Sequence, residues 1–367
     1  MSLTTGTVAL RLFHLPRAIP DVIAALLNAH RLPAFDSIKD APVYGWLPGQ
    51  DILPGREIDS NTIRHHGHTM ATLVRAERKV PTNLLRAECR AQERIRLEAE
   101  GRQFLSRTDR QEIRESVLAR LLPTTTPSLH GTTMLHPQNS KFLFTDAVST
   151  AAADSLVIHF RHAIDFAPEP VEPQTADRIF GKADARDWMP LAYGAIPAEG
   201  CDNHAGYDFL TWLWYKSEVS AFVDTGAGKA ALLVEGPIKL VNTTAGGAQA
   251  TVLRKGQPIT CSEAKAALLA GKKLASATFT LAIGEEVFRA TINGEDFTFR
   301  GLKLPDAKDD CLDPASAFQH RAIKLYEFAD LFTGLYASYC AQRSVASFSS
   351  VLQSDMKAWV ADRQAIS

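Results

Sequence analysis

A chain of 367 residues, 46% hydrophobic and 22% charged, has ordinary globular composition, and its length calls for two or three folded units. With 40 Lys and Arg against 41 Asp and Glu the net charge is −1, which excludes a globally basic protein; a polyanionic partner would have to be held by a local concentration of cations. No run of eighteen apolar residues occurs and Met1 to Arg11 lacks the charged, apolar and small-residue pattern of a signal peptide, so a cytosolic protein is expected.

In chain order, Val8, Leu10 and Leu12 alternate as in a strand, and Ile19 to Leu32 carries helical spacing with Val22, Ile23, Leu26 and Leu27 on one side. Val43 to Pro48 and Thr69 to Arg75 read as further strands, and Pro81 sits where a helix can begin. Asn83 to Leu122 is helical and charge-dense, with a break near Ser106-Arg107-Thr108-Asp109 at which Thr108 and Gln111 offer a capping box. An α-helical hairpin is predicted there. Two short strands, Thr132–Leu135 and Lys141–Thr145, are followed by a helix over Ala151–Ile164 with Leu156, Val157 and Phe160 inward, and the proline-rich Phe166–Thr175 reads as a linker.

Asp208–Glu218 is apolar and aromatic, Ala231–Leu253 reads as strands around a Gly-rich turn at Ala245-Gly246-Gly247, and Cys261–Leu269 as a helix. Strands at Ala277–Ala282, Val287–Ile292 and Phe297–Leu302, the last two joined at Asn293-Gly294, precede two amphipathic helices within Phe318–Ala361. The apolar face Leu325, Phe328, Phe332, Leu335 and Tyr339 is expected to form a homodimer contact, the alternative being that it covers the core of a monomer.

The chemistry-bearing residues are mostly negative findings. Cys89, Cys201, Cys261, Cys311 and Cys340 are scattered, odd in number and form no C-x-x-C pair, so reduced thiols are expected. His65, His66 and His68 lack the spacing of a helix-borne zinc pair and a fourth ligand, and are read as a surface loop. Thr225-Gly-Ala-Gly-Lys-Ala230 lacks the first glycine and the Mg²⁺-binding hydroxyl of a phosphate-binding loop. No metal and no cofactor are expected. The aromatic run Phe209, Trp212, Trp214 and Tyr215 could stack bases, but its helical spacing beside Leu210 and Leu213 favours core or a dimer contact.

Between Arg75 and Arg120 twelve Arg and Lys face eight Asp and Glu, and Arg86, Arg90 and Arg94 recur every four residues on one helical face. Such a stripe can track phosphates; with Glu93, Glu98 and Glu100 at hand it can equally be a solvated face laced with ion pairs. A second basic set is Arg254, Lys255, Lys265, Lys272 and Lys273.

Several motifs, in this order, resemble the recombination-associated protein RdgC family: Gly45-Trp46-Leu47-Pro48; Arg75-Ala-Glu-Arg78-Lys79-Val80-Pro81; Leu97-Glu-Ala-Glu100; Val117-Leu-Ala-Arg-Leu-Leu-Pro123; Lys141-Phe-Leu-Phe-Thr-Asp146. Val252-Leu-Arg-Lys255, Gly271-Lys-Lys-Leu274 and Phe299-Arg-Gly-Leu-Lys-Leu304 continue it. The resemblance implies an α+β, horseshoe-shaped subunit: a central α/β region (1–80 and 124–165), a helical tip (81–123) and an α/β base (166–367). It further implies two subunits closing into a ring around duplex DNA, a nucleoid-associated location, and restraint of recombinase filaments. Two departures are expected: an insertion near 207–245, and no intercalating wedge at the loop Thr124-Thr-Thr-Pro127.

With that resemblance the stripe is read as contacting phosphate. The candidate contacts to DNA are Arg75, Arg78, Lys79, Arg86, Arg90, Arg94, Arg102, Arg254, Lys255, Lys272 and Lys273. The alternative is a metal-dependent DNA nuclease on a similar basic scaffold, drawing on Asp146, Asp154 and Asp224.

Overall fold

Apolar alternation becomes strand and 3.6-residue patterning becomes helix in the computed structural model, which describes residues 3, 5–39, 41–138, 140–181, 188–194, 205–226, 228–242, 249–254, 261–306 and 313–362. The elements run β1 (Val8–His14), α1 (Ile23–Ala29), β2 (Val43–Pro48), α2 (Ser60–Ile63), β3 (Arg64–His65), β4 (His68–Glu77), α3 (Thr82–Glu100), α4 (Arg107–Leu121), β5 (Ser128–Pro137), β6 (Phe142–Thr145) and α5 (Thr150–Ile164). There follow β7 (Glu169–Pro170), α6 (Pro173–Ala176), α7 (Ala205–Val219), β8 (Phe222–Thr225), β9 (Gly228–Asn242), β10 (Gln249–Leu253), α8 (Ser262–Leu269), β11 (Lys273–Ile283), β12 (Glu286–Asn293), β13 (Phe299–Lys303), α9 (Pro314–Ser344) and α10 (Ala346–Asp362). The chain is thus mixed α+β with antiparallel sheet. Cys201, Cys311, Lys255 and the turn at 245–247 lie outside the described residues. No helix among the described residues is long and apolar enough to cross a membrane.

Contacts divide the chain into two units, one of residues 19–138 and 155–167, the other of 1–18, 139–154 and 168–367. β1 goes with the later part of the chain because it pairs with β13 on one side and β6 on the other.

In the first of these units β4 is central, pairing antiparallel with β2 from Val43↔Ala76 to Pro48↔Ala71 and with β5 over ten residues. Gly45 has a steric reason to be glycine: a Cβ there would lie 2.3 Å from the Leu32 Cα, where the chain after α1 closes on β2 through Leu32 N–H to Trp46 O (3.1 Å) and Trp46 N–H to His30 O (2.9 Å). Leu32, Ile38, Leu47, Val74 and Ala76 form the apolar cluster beneath. In α1 it is Ile23, Ala24 and Leu27 that are buried, while Val22, expected on the inward side, is exposed because it precedes the helix. His65, His66 and His68 sit at the tight β3–β4 hairpin, where His66 and Gly67 both take positive φ.

Three imidazoles gather in the same unit. The His30 ring lies 4.5 Å from that of His162, and His159 stacks on Tyr44 at 4.4 Å. Burial pushes the His159 pKa below its ordinary value, and positive charge on His162 and His30 pushes it further the same way; burial does the same to His68, assisted by His66 and His136. A histidine whose folded pKa is depressed binds fewer protons folded than unfolded below the ordinary value of about 6.5. Stability is therefore full above that pH and is lost as pH falls through it. We expect the thermal midpoint to drop between pH 7.5 and pH 5.5 and His159→Gln to flatten the drop; a midpoint that rises on acidification would contradict this.

In the other unit the sheet runs β10-β9-β11-β12-β13-β1-β6, all antiparallel, with β8 on β9 and β7 on β1. Here two expectations are corrected. The stretch 166–175 is no linker throughout: β7 pairs with β1, Val171 is buried, and Glu172 and Thr175 form a reciprocal cap at α6. The face Leu325, Phe328, Phe332, Leu335 and Tyr339 is wholly buried within this unit, not a free dimer surface. Phe328 and Phe332 meet Phe299 edge-on at 5.0 and 4.8 Å, and Tyr339 meets Trp212 at 5.5 Å.

The aromatic run belongs to α7, buried on every side: Phe209, Trp212 and Trp214 have no exposed surface. They are core, and bases cannot reach them. Thr225 and Gly228 pair across two antiparallel strands, β8 and β9, so these residues lack the strand-to-helix geometry of a phosphate loop.

Candidate nucleic-acid interface

The hairpin of α3 and α4 closes a core of its own, made by Val80, Leu85, Leu105, Ile113, Val117 and Leu122. Only Leu85 of α3 is fully buried, so most of that helix's circumference is available to charge. Gly101, left-handed at φ 62°, ends α3, and the Arg102 N–H donates to the Leu97 carbonyl. The second helix starts at Ser106 and not at Thr108: Ser106 Oγ accepts from the Asp109 N–H (3.1 Å) and Asp109 accepts from the Ser106 N–H (3.0 Å). Asp wins this position because the first-turn carboxylate also meets the helix dipole. Its Ser106 hydrogen bonds hold its pKa below the carboxylate range, helped by Arg96 and Arg102.

The hairpin's acidic residues are largely turned onto its own arginines. Arg96 takes Glu100 (3.0 Å), Asp109 (3.0 Å) and Glu112 (3.2 Å); Arg102 takes Glu100 (3.1 Å) and Asp109 (3.4 Å); Arg120 takes Glu88 (2.5 Å). Arg86, Arg90 and Arg94 are exposed, and among the described residues no carboxylate lies within ion-pair distance of any of them. The ion-pair lacing that the glutamates made plausible falls on Arg96, not on the stripe. Lys79 is likewise exposed and unpaired among the described residues.

Sequence reasoning passed over Arg107, Arg110 and Arg114, which are exposed and spaced three and four apart on one flank of α4. It also passed over Phe104. That ring, 80% exposed in the loop joining the helices, carries no periodic signal; only its isolation between Gln103 and Leu105 in a polar loop marks it. At the Thr124–Pro127 loop the exposed chemistry is hydroxyl, with Thr124 and Thr125 both donating to the Leu121 carbonyl.

The other candidates are engaged to differing degrees. Arg75 pairs with Glu77 at 2.6 Å. Arg78 is a clip: its guanidinium donates to the carbonyls of Ile38 (2.8 Å), Phe35 (3.0 Å), Pro123 (2.9 Å) and Thr125. Lys272 donates to Thr251 at 2.7 Å. Lys273 is 7% exposed and lies 2.5 Å from the buried Asp208, so it is no surface cation. Arg254 is exposed after β10, and Lys255 lies outside the described residues. Asp154 and Asp224 are exposed and Asp146 half-buried; no three His, Cys, Asp or Glu among the described residues converge on a point that could hold a metal ion.

These features define an α+β protein that carries, on one of its two units, a helical hairpin with a cationic face that finds no counter-ion among the described residues. Residues 10–180, a little under half of the chain, match the RdgC family model, described as "Putative exonuclease, RdgC". The RdgC resemblance is thereby shown over that segment, which contains the whole hairpin and all of the unit that bears it. The motifs after residue 180 lie outside the match. No curated protein matches the chain.

Proposed function

We propose that the chain is a recombination-associated protein that binds duplex DNA without reading its sequence, gripping phosphates with the outer face of the α3–α4 hairpin. The observation that carries this reading is the stripe Arg86, Arg90 and Arg94 of the RdgC-matched segment, exposed and unpaired among the described residues, while neighbouring carboxylates are held by Arg96, Arg102 and Arg120. An uncompensated row of guanidinium groups displaces condensed counter-ions from a polyanion. It carries no base-reading geometry, because phosphate contacts position and do not specify. Lys79 and the exposed row Arg107, Arg110 and Arg114 of the same unit are further candidates; Arg254 is a separate, weaker one. Arg78 and Lys273 are set aside, since their cations are held by the protein itself.

Binding should weaken steeply with salt, with log K falling by about 0.9 per neutralised phosphate against log salt, alike for unrelated duplexes. A flat salt dependence, or one site outcompeting bulk DNA by orders of magnitude, sinks the reading. The nuclease alternative finds its support in the family description. It predicts degradation of linear duplex in Mg²⁺ or Mn²⁺, whereas the binding reading predicts intact DNA.

Phe104 belongs to the same reading as an apolar contact at the hairpin loop. We expect Phe104→Ser to weaken duplex binding several-fold with an unchanged salt slope, because an apolar side chain releases no counter-ion; an unaltered affinity would leave Phe104 without a part in it. The two-subunit ring and restraint of recombinase filaments are the further terms of the proposal. A partner subunit would have to use a surface other than the α9 face, which is spent on the core. Mass in solution with and without duplex tests the ring, and a monomer in both removes it.

A further inference from the structure

We propose that the cavity at the α9–α10 junction binds a phosphate monoester of nucleotide type, a site separate from the hairpin and independent of the reading given above. The two helices meet at Val345, and the concavity beside them has a volume of about 640 Å³, within the range that holds a small ligand. Among the described residues its wall includes Arg343, Lys357, Ser349, Ser350, Ser354 and Trp188, and no acidic side chain.

Arg343 anchors the site. It is 6% exposed, and among the described residues no carboxylate lies within ion-pair distance of it. One guanidinium nitrogen donates to Ser349 Oγ at 3.0 Å and the other to the Met189 carbonyl, while Nε is buried without an acceptor. The guanidinium carbon lies 5.5 Å from the centre of the Trp188 ring. A cation removed from water without an anion is costly unless something else supplies the charge. The cavity is where an anion can come.

The rest of the wall suits the same ligand. Ser350, Ser354 and Lys357 share one exposed stripe of α10, while Leu352, Met356 and Val360 are buried on another side, which the half-buried Ser349 shares. The helix carries no acidic residue in its first turn to compete for the site. Hydroxyl donors beside two cations fit a phosphate dianion, and the Trp188 and Met189 wall gives a base or sugar an apolar surface. The phosphate could come from a free nucleotide or from the 5′ end of a DNA strand.

Calorimetry on the full chain decides it. Deoxyadenosine 5′-monophosphate should bind at least ten-fold more tightly than deoxyadenosine, and Lys357→Gln and Ser350→Ala, both at exposed positions, should each weaken it several-fold without moving the thermal midpoint. Arg343→Gln should abolish binding; because Arg343 also holds Met189 and Ser349, the two exposed variants carry the test if it fails to fold. Displacement of labelled deoxyadenosine 5′-monophosphate by a 5′-phosphorylated trinucleotide but not by its 5′-hydroxyl form identifies a strand end as the source. Displacement by neither identifies the free nucleotide. No heat at millimolar nucleotide, equal binding of the nucleoside, or indifference to both exposed substitutions overturns the proposal.

Discussion

Replacing Arg86, Arg90 and Arg94 together with alanine lowers the salt slope of duplex binding by about 2.7 units, if each of the three neutralises one phosphate. The size follows from the geometry: the three side chains are exposed and unpaired among the described residues, so nothing in the protein already neutralises them. Affinity should fall alike for every duplex sequence, because the lost contacts carry no base information. The helix should survive, since alanine has the higher propensity and the hairpin core rests on Leu85, Ile113 and Val117. Circular dichroism on the same protein separates charge loss from unfolding. A folded triple variant with unchanged affinity and slope would make the stripe a solvated face, and Arg107, Arg110 and Arg114 would then be the first residues to replace.

Removing Asp208 should produce the largest loss of stability, about 3–5 kcal/mol, as expected when one partner of a buried ion pair is deleted. Its carboxylate, on a side chain 1% exposed, lies 2.5 Å from Lys273 Nζ and also accepts the Leu191 N–H at 3.0 Å. Asp208→Ala leaves a buried ammonium without an anion and a buried amide without an acceptor. Such a loss is a large fraction of a domain's stability of about 5–15 kcal/mol. Lys273→Met should be milder, and Asp208→Leu combined with Lys273→Met should recover much of the deficit, because the charge is then absent from both sides. Urea midpoints measure all three. Lys273→Met should also leave the salt slope of duplex binding untouched. A lowered slope at full stability would return Lys273 to the DNA face.

Local pattern carried far in this chain. The strands at Val43–Pro48 and on either side of Asn293-Gly294, the helical hairpin and the long closing helices were legible because each has a period of two or 3.6 and punctuation by Pro, Gly or Asn. The capping box slipped by two residues because Ser106–Asp109 and Thr108–Gln111 both satisfy the pattern, and only the side-chain geometry chooses between them. The proline-rich segment 166–175 misled for a related reason: composition marks breaks in local structure, but pairing of Pro170 with Phe13 is a contact between residues distant in sequence.

The sequence alone determined the fold class, the hairpin and the RdgC resemblance, since all three rest on residue type and spacing along the chain. Only the tertiary structure decided which cations are available. Arg94 and Arg96 stand two residues apart and look alike in sequence, yet Arg96 faces Asp109 and Glu112 of the neighbouring helix while Arg94 faces none. Lys272 and Lys273 are adjacent, yet Lys272, just before β11, is half-buried and donates to Thr251, while Lys273, the first residue of the strand, lies in the core against Asp208. Whether a charge is spent inside the protein depends on what packs against it, and that is set by contacts between segments far apart in sequence.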